Sequence, residues 1–115
     1  MLSWVEIDAA RLQSNIEAFR TLARPGTALM IVVKANAYGH GLDVVAPVAA
    51  GKADWLGVNG VDEALAITRL GVRKPVAILG HTPIDRIEDV VRGGYRQVLY
   101  RLDVAKALSE TAKKL

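Results

Sequence analysis

The sequence predicts an α/β fold in which helices cover a parallel sheet. Four short apolar segments begin near residues 29, 55, 76 and 97, and each is followed by the periodicity of an amphipathic helix. This spacing suits strand–helix units with short connections. The first segment, Leu29–Val33, is apolar without alternation and rich in β-branched residues, as in a strand buried on both faces. Four such units in a row predict a parallel sheet that is either open or closing into a barrel.

A strand and a helix are predicted before these units. Trp4–Ile7 alternates apolar and polar residues, which is typical of a half-buried strand, and Asp8 is placed to cap the helix that follows. The apolar stripe of that helix is Leu12, Ile16, Phe19 and Ala23. Pro25 and Gly26 end the helix.

The first two units differ in how clearly their helices can be predicted. Pro47 lies in the helix after Leu29–Val33, where it would either begin a short helix near Val45 or kink a longer one. The second strand is Trp55–Val58. The predicted stripe of its helix is Val61, Leu65 and Thr68, with Gly71 as the end.

The third and fourth units repeat the pattern. After the strand Val76–Leu79, Thr82 is predicted to cap a helix and Pro83 occupies the favoured first helical position. The stripe of that helix is Ile84, Ile87 and Val91, and Gly93 and Gly94 end it. The fourth strand is Gln97–Tyr100, and Asp103 is the predicted cap of the last helix. Its predicted face is Val104, Leu108, Ala112 and Leu115.

The composition excludes several classes of function. The chain has 115 residues, of which 51% are hydrophobic, and its mean hydropathy of +0.22 is that of a globular protein. Its net charge of +3 is too scattered to indicate a nucleic-acid or membrane surface. The absence of cysteine excludes disulfides, thiolate nucleophiles and cysteine metal sites. With no signal peptide and no membrane-spanning run, the protein is expected to be soluble and cytoplasmic.

Candidate chemistry begins at Lys34, directly after the apolar first strand. Its amine is expected at the carboxyl end of the sheet, where α/β proteins bind ligands. Most lysines at strand ends are simply solvated charges. A partly desolvated amine, however, can form a Schiff base with an aldehyde or move protons.

The residues after Lys34 favour the chemical interpretation. Tyr38 carries a phenol that can donate a hydrogen bond to a phosphate, and Gly39 and Gly41 allow close backbone approach to a ligand. His40 lies between these glycines and is interpreted as a loop anchor bonded to the backbone, in preference to a base or a metal ligand.

These residues carry a resemblance to a known family. Val33–Gly41, with the sequence Val-Lys-Ala-Asn-Ala-Tyr-Gly-His-Gly, closely resembles the pyridoxal phosphate attachment motif of the alanine racemase family. The resemblance extends to Trp4–Asp8, Gly57–Val58, Asp62–Ala64 and Ile78–Gly80, and so covers nearly the whole chain. Asn59 departs from the small residue expected after the second strand, but it lies outside the motif.

The resemblance implies part of a (β/α)8 TIM-type barrel. Residues 1–26 would be an N-terminal strand and helix, and residues 27–115 would be roughly the first four βα units, carrying the cofactor lysine. A closed barrel typically needs about 200 residues or more. The chain is therefore expected to be an N-terminal portion from which the family's C-terminal β domain is absent.

The resemblance also implies an isomerase that interconverts L-alanine and D-alanine and supplies D-alanine for peptidoglycan. Lys34 would hold pyridoxal 5'-phosphate and, once freed by the substrate, would be one of two acid–base groups flanking the substrate Cα. Tyr38 would help to hold the cofactor phosphate. No metal is implied.

The family's second base is a tyrosine from the C-terminal domain of the partner subunit in a homodimer, and it is not on this chain. Tyr95 lies at the wrong end of its predicted strand and Tyr100 lacks the surrounding motif, so neither is expected to replace it. The isolated 115-residue chain is therefore expected neither to racemise alanine nor to fold cleanly as a monomer.

Two alternatives remain open at this point. Another amino-acid racemase or decarboxylase of the same barrel type would share the lysine, because the residues that select the substrate lie largely outside this chain. A non-catalytic cofactor-binding or assembly module would account for the short length and the missing base. Dispersed basic residues and the absence of an aromatic stacking platform make a nucleic-acid partner the weakest interpretation.

Overall fold

The computed structural model describes residues 2–115. In chain order these form α1 (Ala9–Leu22), β1 (Met30–Val32), α2 (Lys34–Tyr38), α3 (Leu42–Ala50), β2 (Trp55–Val58), α4 (Val61–Arg69), β3 (Val76–Ile78), a 3-10 turn (Ile84–Arg86), α5 (Ile87–Arg92), β4 (Arg96–Gln97) and α6 (Leu102–Lys114). Helix α2 differs from the others because its backbone is left-handed.

The four strands form one parallel sheet with the order β1-β2-β3-β4. Met30 pairs with Trp55, and Leu56 pairs with Val76. Because the strands run in the same direction, the segments that follow them meet at one edge of the sheet. The predicted α/β class is confirmed, and the sheet is that of a partial (β/α)8 barrel.

The core is built on the two central strands. Leu56, Val58 and Ile78 are fully buried at 0% exposure. Strands covered on both faces explain why these segments are apolar without alternation. Helices α3 and α4 complete this core with buried side chains of Val45, Ala46, Ala49, Val61, Ala64 and Ile67.

The strand predicted over Trp4–Ile7 does not form. Residues 2–8 have no assigned secondary structure, and Trp4 is 71% exposed. A strand needs a neighbour with which its backbone N–H and C=O groups can bond. Within residues 2–115 the sheet has no further strand beside this segment. The alternating pattern was therefore insufficient without a partner strand.

Helix α1 begins where the sequence predicts. The Asp8 side chain accepts the backbone N–H groups of Ala10 and Arg11, each at 3.0 Å, and so satisfies two donors at the helix start. Ile16 is buried as expected, but Phe19 is 64% exposed. The buried face of α1 is narrower than the predicted stripe, and the helix packs mainly against α3.

Helix α3 runs from Leu42 to Ala50 with Pro47 inside it, so the longer of the two predicted helices is observed. In α4 the buried face is Val61, Ala64 and Ile67, whereas Leu65 is half-buried and Thr68 is exposed. The buried residues of α4 are spaced three apart, so the buried face departs from the predicted stripe after Val61.

Thr82 does not cap a helix. Its side chain is buried, and its hydroxyl donates to Oε1 of Gln97 at 2.6 Å. Residues Ile84–Arg86 form the 3-10 turn, and α5 begins only at Ile87. A buried hydroxyl must find a partner, and here the partner is a side chain at the end of β4 rather than a helix N–H.

The fourth strand is shorter and earlier than predicted. It spans Arg96–Gln97, whereas Leu99 and Tyr100 lie outside it and are 51% and 67% exposed. In the described part of the chain β4 has a neighbour on one side only. Only Arg96 and Gln97 pair with β3, so Leu99 and Tyr100 have no strand partner within residues 2–115.

Helix α6 begins two residues earlier than an Asp103 cap would place it. Arg101 occupies the cap position, and Asp103 lies in the first turn. Val104 is buried, but Leu115 is 57% exposed. The predicted apolar face is therefore only partly covered.

No helix within residues 2–115 is both long enough and apolar enough to cross a membrane. The same range holds no cluster of three or more side chains suited to binding a metal ion.

Candidate active site

Lys34 lies directly after β1, at the carboxyl edge of the sheet. Val33, the residue before it, is 1% exposed, and its N–H donates to the carbonyl oxygen of Gly57 at 2.8 Å. The backbone is thus tied to β2 up to the residue before the lysine. Lys34 itself is half-buried, and no acidic side chain in residues 2–115 forms an ion pair with it.

The segment after Lys34 has an unusual backbone. Ala35, Asn36, Ala37 and Tyr38 have φ values of 51°, 55°, 53° and 54°, so four consecutive non-glycine residues are left-handed. L-residues adopt this conformation rarely and at a cost. Hydrogen bonds hold it, among them Ala37 N–H to Val33 O at 2.9 Å and Gly39 N–H to Ala35 O at 3.1 Å.

Asn36 joins this left-handed turn to the next helix. Its side-chain Oδ1 accepts the N–H of Leu42 at 2.8 Å, at the start of α3. Its carbonyl oxygen accepts the N–H of Gly41 at 3.0 Å. Asparagine tolerates the left-handed region better than most residues, and Gly39 and Gly41 have φ values of 85° and 94° that favour glycine.

His40 has the anchoring position that the sequence indicates. Its Nδ1 lies 2.9 Å from the carbonyl oxygen of Ala37. Because a carbonyl only accepts, Nδ1 carries the proton in this bond. The imidazole therefore closes the left-handed turn onto its own backbone.

Tyr38 is available to a ligand. It is 60% exposed, and its hydroxyl forms no hydrogen bond with residues 2–115. A cavity of about 370 Å³ is lined by Tyr38 and His40 together with residues 6–8 of the N-terminal segment. Lys34 does not line that cavity. The candidate site is therefore the open edge around Lys34 and Tyr38, and Tyr38 is the residue that this edge shares with the cavity.

Glu63 connects the lysine segment to the second unit. Its Oε1 accepts the N–H of Ala35 at 2.7 Å, and its Oε2 accepts the N–H of Asn59 at 2.7 Å. Sequence reasoning placed Glu63 in a family motif without giving it a role. The available signal was an acidic residue in the first turn of the helix that follows β2.

Arg86 holds α4 and α5 together beside this edge. Its guanidinium bonds Asp89 at 2.7 Å and Asp62 at 2.9 Å. The hydrogen bond that Arg86 donates to Asp89, followed by the one it donates to Asp62, raises the pKa of Arg86 above its ordinary value. The partner of Arg86 on α4 is thus the residue next to Glu63.

The two other tyrosines are placed differently. Tyr95 is buried, and its hydroxyl lies 2.6 Å from that of Thr68 on α4. Tyr100 is exposed, and its hydroxyl donates to the carbonyl oxygen of Leu79, directly after β3, at 2.5 Å. Both hydroxyls already bond within the described chain.

Comparison with known proteins identifies the family. The sequence-family model of the alanine racemase N-terminal domain matches residues 7–115 of this chain. The chain is 41% identical over 111 residues to the alanine racemase of Desulfosudis oleivorans, covering 96% of this chain and 28% of that protein. It is 37% identical over 115 residues to the alanine racemase of Symbiobacterium thermophilum, covering 98% of this chain and 30% of that protein. The chain thus spans under a third of the curated relatives it matches.

Solved structures give the same family. The alanine racemase of Clostridium difficile 630 in complex with cycloserine superposes with a TM-score of 0.92 at 30% identity, over 99% of this chain and 31% of that one. The enzyme from Streptomyces coelicolor A3(2) superposes with a TM-score of 0.85 at 33% identity, over 94% of this chain and 29% of that one. With its lysine turn, its parallel sheet and these matches along nearly its full length, the chain belongs to the alanine racemase family, in which it corresponds to the N-terminal domain.

Proposed function

We propose that the protein carrying this chain interconverts L-alanine and D-alanine, with pyridoxal 5'-phosphate attached to Lys34. The observation that supports this most directly is the lysine itself. It is half-buried, without an acidic partner in residues 2–115, and it leads into a hydrogen-bonded left-handed turn at the carboxyl edge of the sheet. The curated relatives are named alanine racemase, and a related structure from Bacillus anthracis has L-Ala-P bound.

The side chains at this edge fit the cofactor's chemistry. A primary amine is the group that reacts with an aldehyde, and Lys34 supplies one. A phenol is a suitable donor to a phosphate oxygen, and the Tyr38 hydroxyl is exposed with no partner in the described chain. When bound, pyridoxal phosphate supplies an electron sink for the charge that develops at the substrate Cα.

Lys34 is assigned the transfer of a proton at one face of the substrate Cα. Val33 and the turn after Lys34 fix the backbone on both sides of the lysine, so the amine is carried on a rigid support. Tyr38 is assigned a hydrogen bond to the cofactor phosphate. Asn36 and His40 act on the turn itself, through their bonds to Leu42 and Ala37.

Racemisation also needs a group on the opposite face, since a single group mostly returns the proton to the side from which it came. We assign this second group to a tyrosine outside residues 2–115, contributed by the partner subunit of a homodimer. Tyr95 is a poor candidate because its side chain is buried and its hydroxyl already bonds that of Thr68. On this proposal the 115-residue chain alone is inactive, and the whole protein supplies D-alanine for peptidoglycan.

The test uses the full-length protein that carries this sequence. L-alanine, L-serine and L-lysine are offered separately, and conversion to the D-forms is measured by chiral chromatography. L-alanine is the expected preferred substrate. Borohydride reduction followed by peptide mass spectrometry is expected to place the cofactor on Lys34.

The matched variants are Lys34→Ala and Lys106→Ala, the second on the exposed side of α6. Lys34→Ala is expected to lower the rate by at least about a hundredfold, because an acid–base group is lost with the attachment point. Lys106→Ala is expected to retain the rate. Preference for L-serine or L-lysine, decarboxylation, or full activity of Lys34→Ala would each overturn the proposal.

A further inference from the structure

The Glu63 carboxylate links two of the loops at the carboxyl edge of the sheet. One oxygen accepts the N–H of Ala35, after β1, and the other accepts the N–H of Asn59, after β2, both at 2.7 Å. These are charge-assisted bonds of short length. The two donors lie 24 residues apart in sequence, and one side chain ties them together.

The location of Glu63 explains how it reaches both. Glu63 is the third residue of α4, the position from which a glutamate commonly turns back to the backbone before its helix. Here one oxygen turns back to Asn59, and the other leaves its own unit for Ala35. A single capping bond would use only one of the two oxygens.

The bond to Ala35 acts on the lysine. The N–H of Ala35 belongs to the peptide group that joins it to Lys34, so a bond at this N–H restricts the orientation of that peptide plane. The left-handed segment begins at the same residue, with φ of 51°. A strained backbone persists only where its surroundings fix it, and Glu63 provides such a contact at the first strained residue.

We propose that Glu63 is a positioning residue for Lys34: its carboxylate fixes the Lys34–Ala35 peptide to the end of β2 and so sets the direction in which the lysine amine points. The expected effect on the cofactor at Lys34 rests on the proposed function. The bond itself is a property of the chain and is testable without cofactor.

The chemistry of the carboxylate makes the proposal specific. Glutamine has the same length but only one acceptor oxygen, and its NH2 group would face a backbone N–H. Glu63→Gln therefore loses at least one bond with little change in volume. Asp62→Asn is the matched control, since it removes the neighbouring negative charge from the same helical turn, and Asp62 bonds Arg86 instead of the lysine segment.

The first measurement is amide hydrogen exchange of the cofactor-free, full-length protein. Glu63→Gln is expected to accelerate exchange at Ala35 and Asn59 by roughly tenfold or more, because bonds to charged groups are the stronger ones. Exchange in α6 and the thermal midpoint are expected to stay close to wild type. Asp62→Asn is expected to leave exchange at Ala35 and Asn59 unchanged.

The second measurement reports the direction of the amine. After loading with pyridoxal phosphate, visible circular dichroism is recorded and divided by the amount of cofactor that borohydride fixes on Lys34. Glu63→Gln is expected to change this molar signal, and Asp62→Asn is expected to preserve it. A residue that only stabilised the fold would change the amount attached and leave the signal per attached cofactor unaltered.

The outcomes separate this inference from the proposed function. If Glu63→Gln matches Asp62→Asn in exchange, or keeps the wild-type signal per attached cofactor, Glu63 does not position Lys34. If the wild-type protein takes up no cofactor at Lys34, the proposed function fails, while the exchange data still decide whether Glu63 holds the Lys34–Ala35 peptide. Should Glu63→Gln unfold, Glu63→Asp, one methylene shorter, replaces it with the same expected results.

Discussion

The N–H of Gly80 donates to the carbonyl oxygen of Asn59 at 2.9 Å, and the two residues bring the ends of β3 and β2 into backbone contact. A Cβ atom on residue 80 would lie 2.4 Å from that oxygen. The strand ends can approach this closely only because residue 80 has no side chain. Asn59 also donates to Glu63, so this contact continues toward the lysine turn.

Gly80→Ala is expected to destabilise the protein by about 1 to 3 kcal/mol, because backbone must shift to admit the methyl group. The measurement is the denaturant midpoint of the full-length protein. Gly60→Ala is the control, since nothing lies within 4 Å of a Cβ there. Equal midpoints for the two variants would contradict the close contact.

Ala35→Gly is expected to stabilise the protein by up to about 1 kcal/mol, because glycine removes left-handed strain but adds freedom to the unfolded chain. Ala18→Gly in right-handed α1 is the matched control, and it is expected to cost about 0.5 to 1 kcal/mol. Both alanines are exposed, so neither change removes buried surface. Opposite shifts in the denaturant midpoint are expected, and equal losses would argue against a strained turn.

Tyr38→Phe is expected to weaken pyridoxal phosphate binding by roughly ten- to hundredfold, the effect of losing one hydrogen bond to a charged group. Titration of cofactor-free protein, followed by visible absorption, measures this change. Tyr100→Phe removes a phenol that bonds the protein backbone and is expected to bind cofactor as wild type does. Unchanged affinity in Tyr38→Phe would remove Tyr38 from the phosphate site.

Asp54 is expected to make part of the stability dependent on pH. Its carboxylate accepts the N–H of Leu29 at 2.7 Å and pairs with Arg20 at 2.9 Å. The bond from Leu29, followed by that from Arg20, holds the pKa of Asp54 below its usual value of 3.8. A carboxyl group whose pKa is lower in the folded protein than in the unfolded chain stabilises the folded protein at pH values above its unfolded-state pKa. This stabilisation is lost as the pH falls through the folded-state pKa.

The test of Asp54 is a series of denaturant midpoints across pH. Asp54→Asn is expected to be less stable than wild type at neutral pH, with the difference narrowing as pH falls below 3.8. Asp85→Asn is the control, because Asp85 forms no ion pair within residues 2–115. A difference that stays constant with pH would show that the charge of Asp54 is not involved.

The sequence predicted the elements that are determined locally or by full burial. Trp55–Val58 has the predicted bounds, and the Asp8 cap is confirmed, because a continuous apolar run and a capping carboxylate need little context. Trp4–Ile7 failed as a strand because pairing depends on a partner that the pattern does not reveal. Thr82 failed as a cap because its bond goes to Gln97, fifteen residues away.

The candidate site was predictable in its residue types but not in its geometry. The motif indicated Lys34 and Tyr38, and the glycines predicted close backbone turns. Nothing in residue propensity predicts four consecutive left-handed residues, since Ala35 and Ala37 favour right-handed helices. The two hydrogen bonds of Glu63 could not be predicted from the sequence either, because they depend on how β1 and β2 are paired.

The order of strands in the sheet has a consequence for how the chain acquires its structure. Met30 pairs with Trp55, and Ala77 pairs with Arg96, so each strand finds its neighbour roughly twenty to twenty-five positions along the chain. Within residues 2–115 each strand pairs with the strand that follows it in sequence, so the entropy of closing each of these loops stays small. On the ribosome, each βα unit is therefore expected to dock on its predecessor as it emerges. The lysine turn would then be secured as soon as the second unit, with Glu63, has left the exit tunnel.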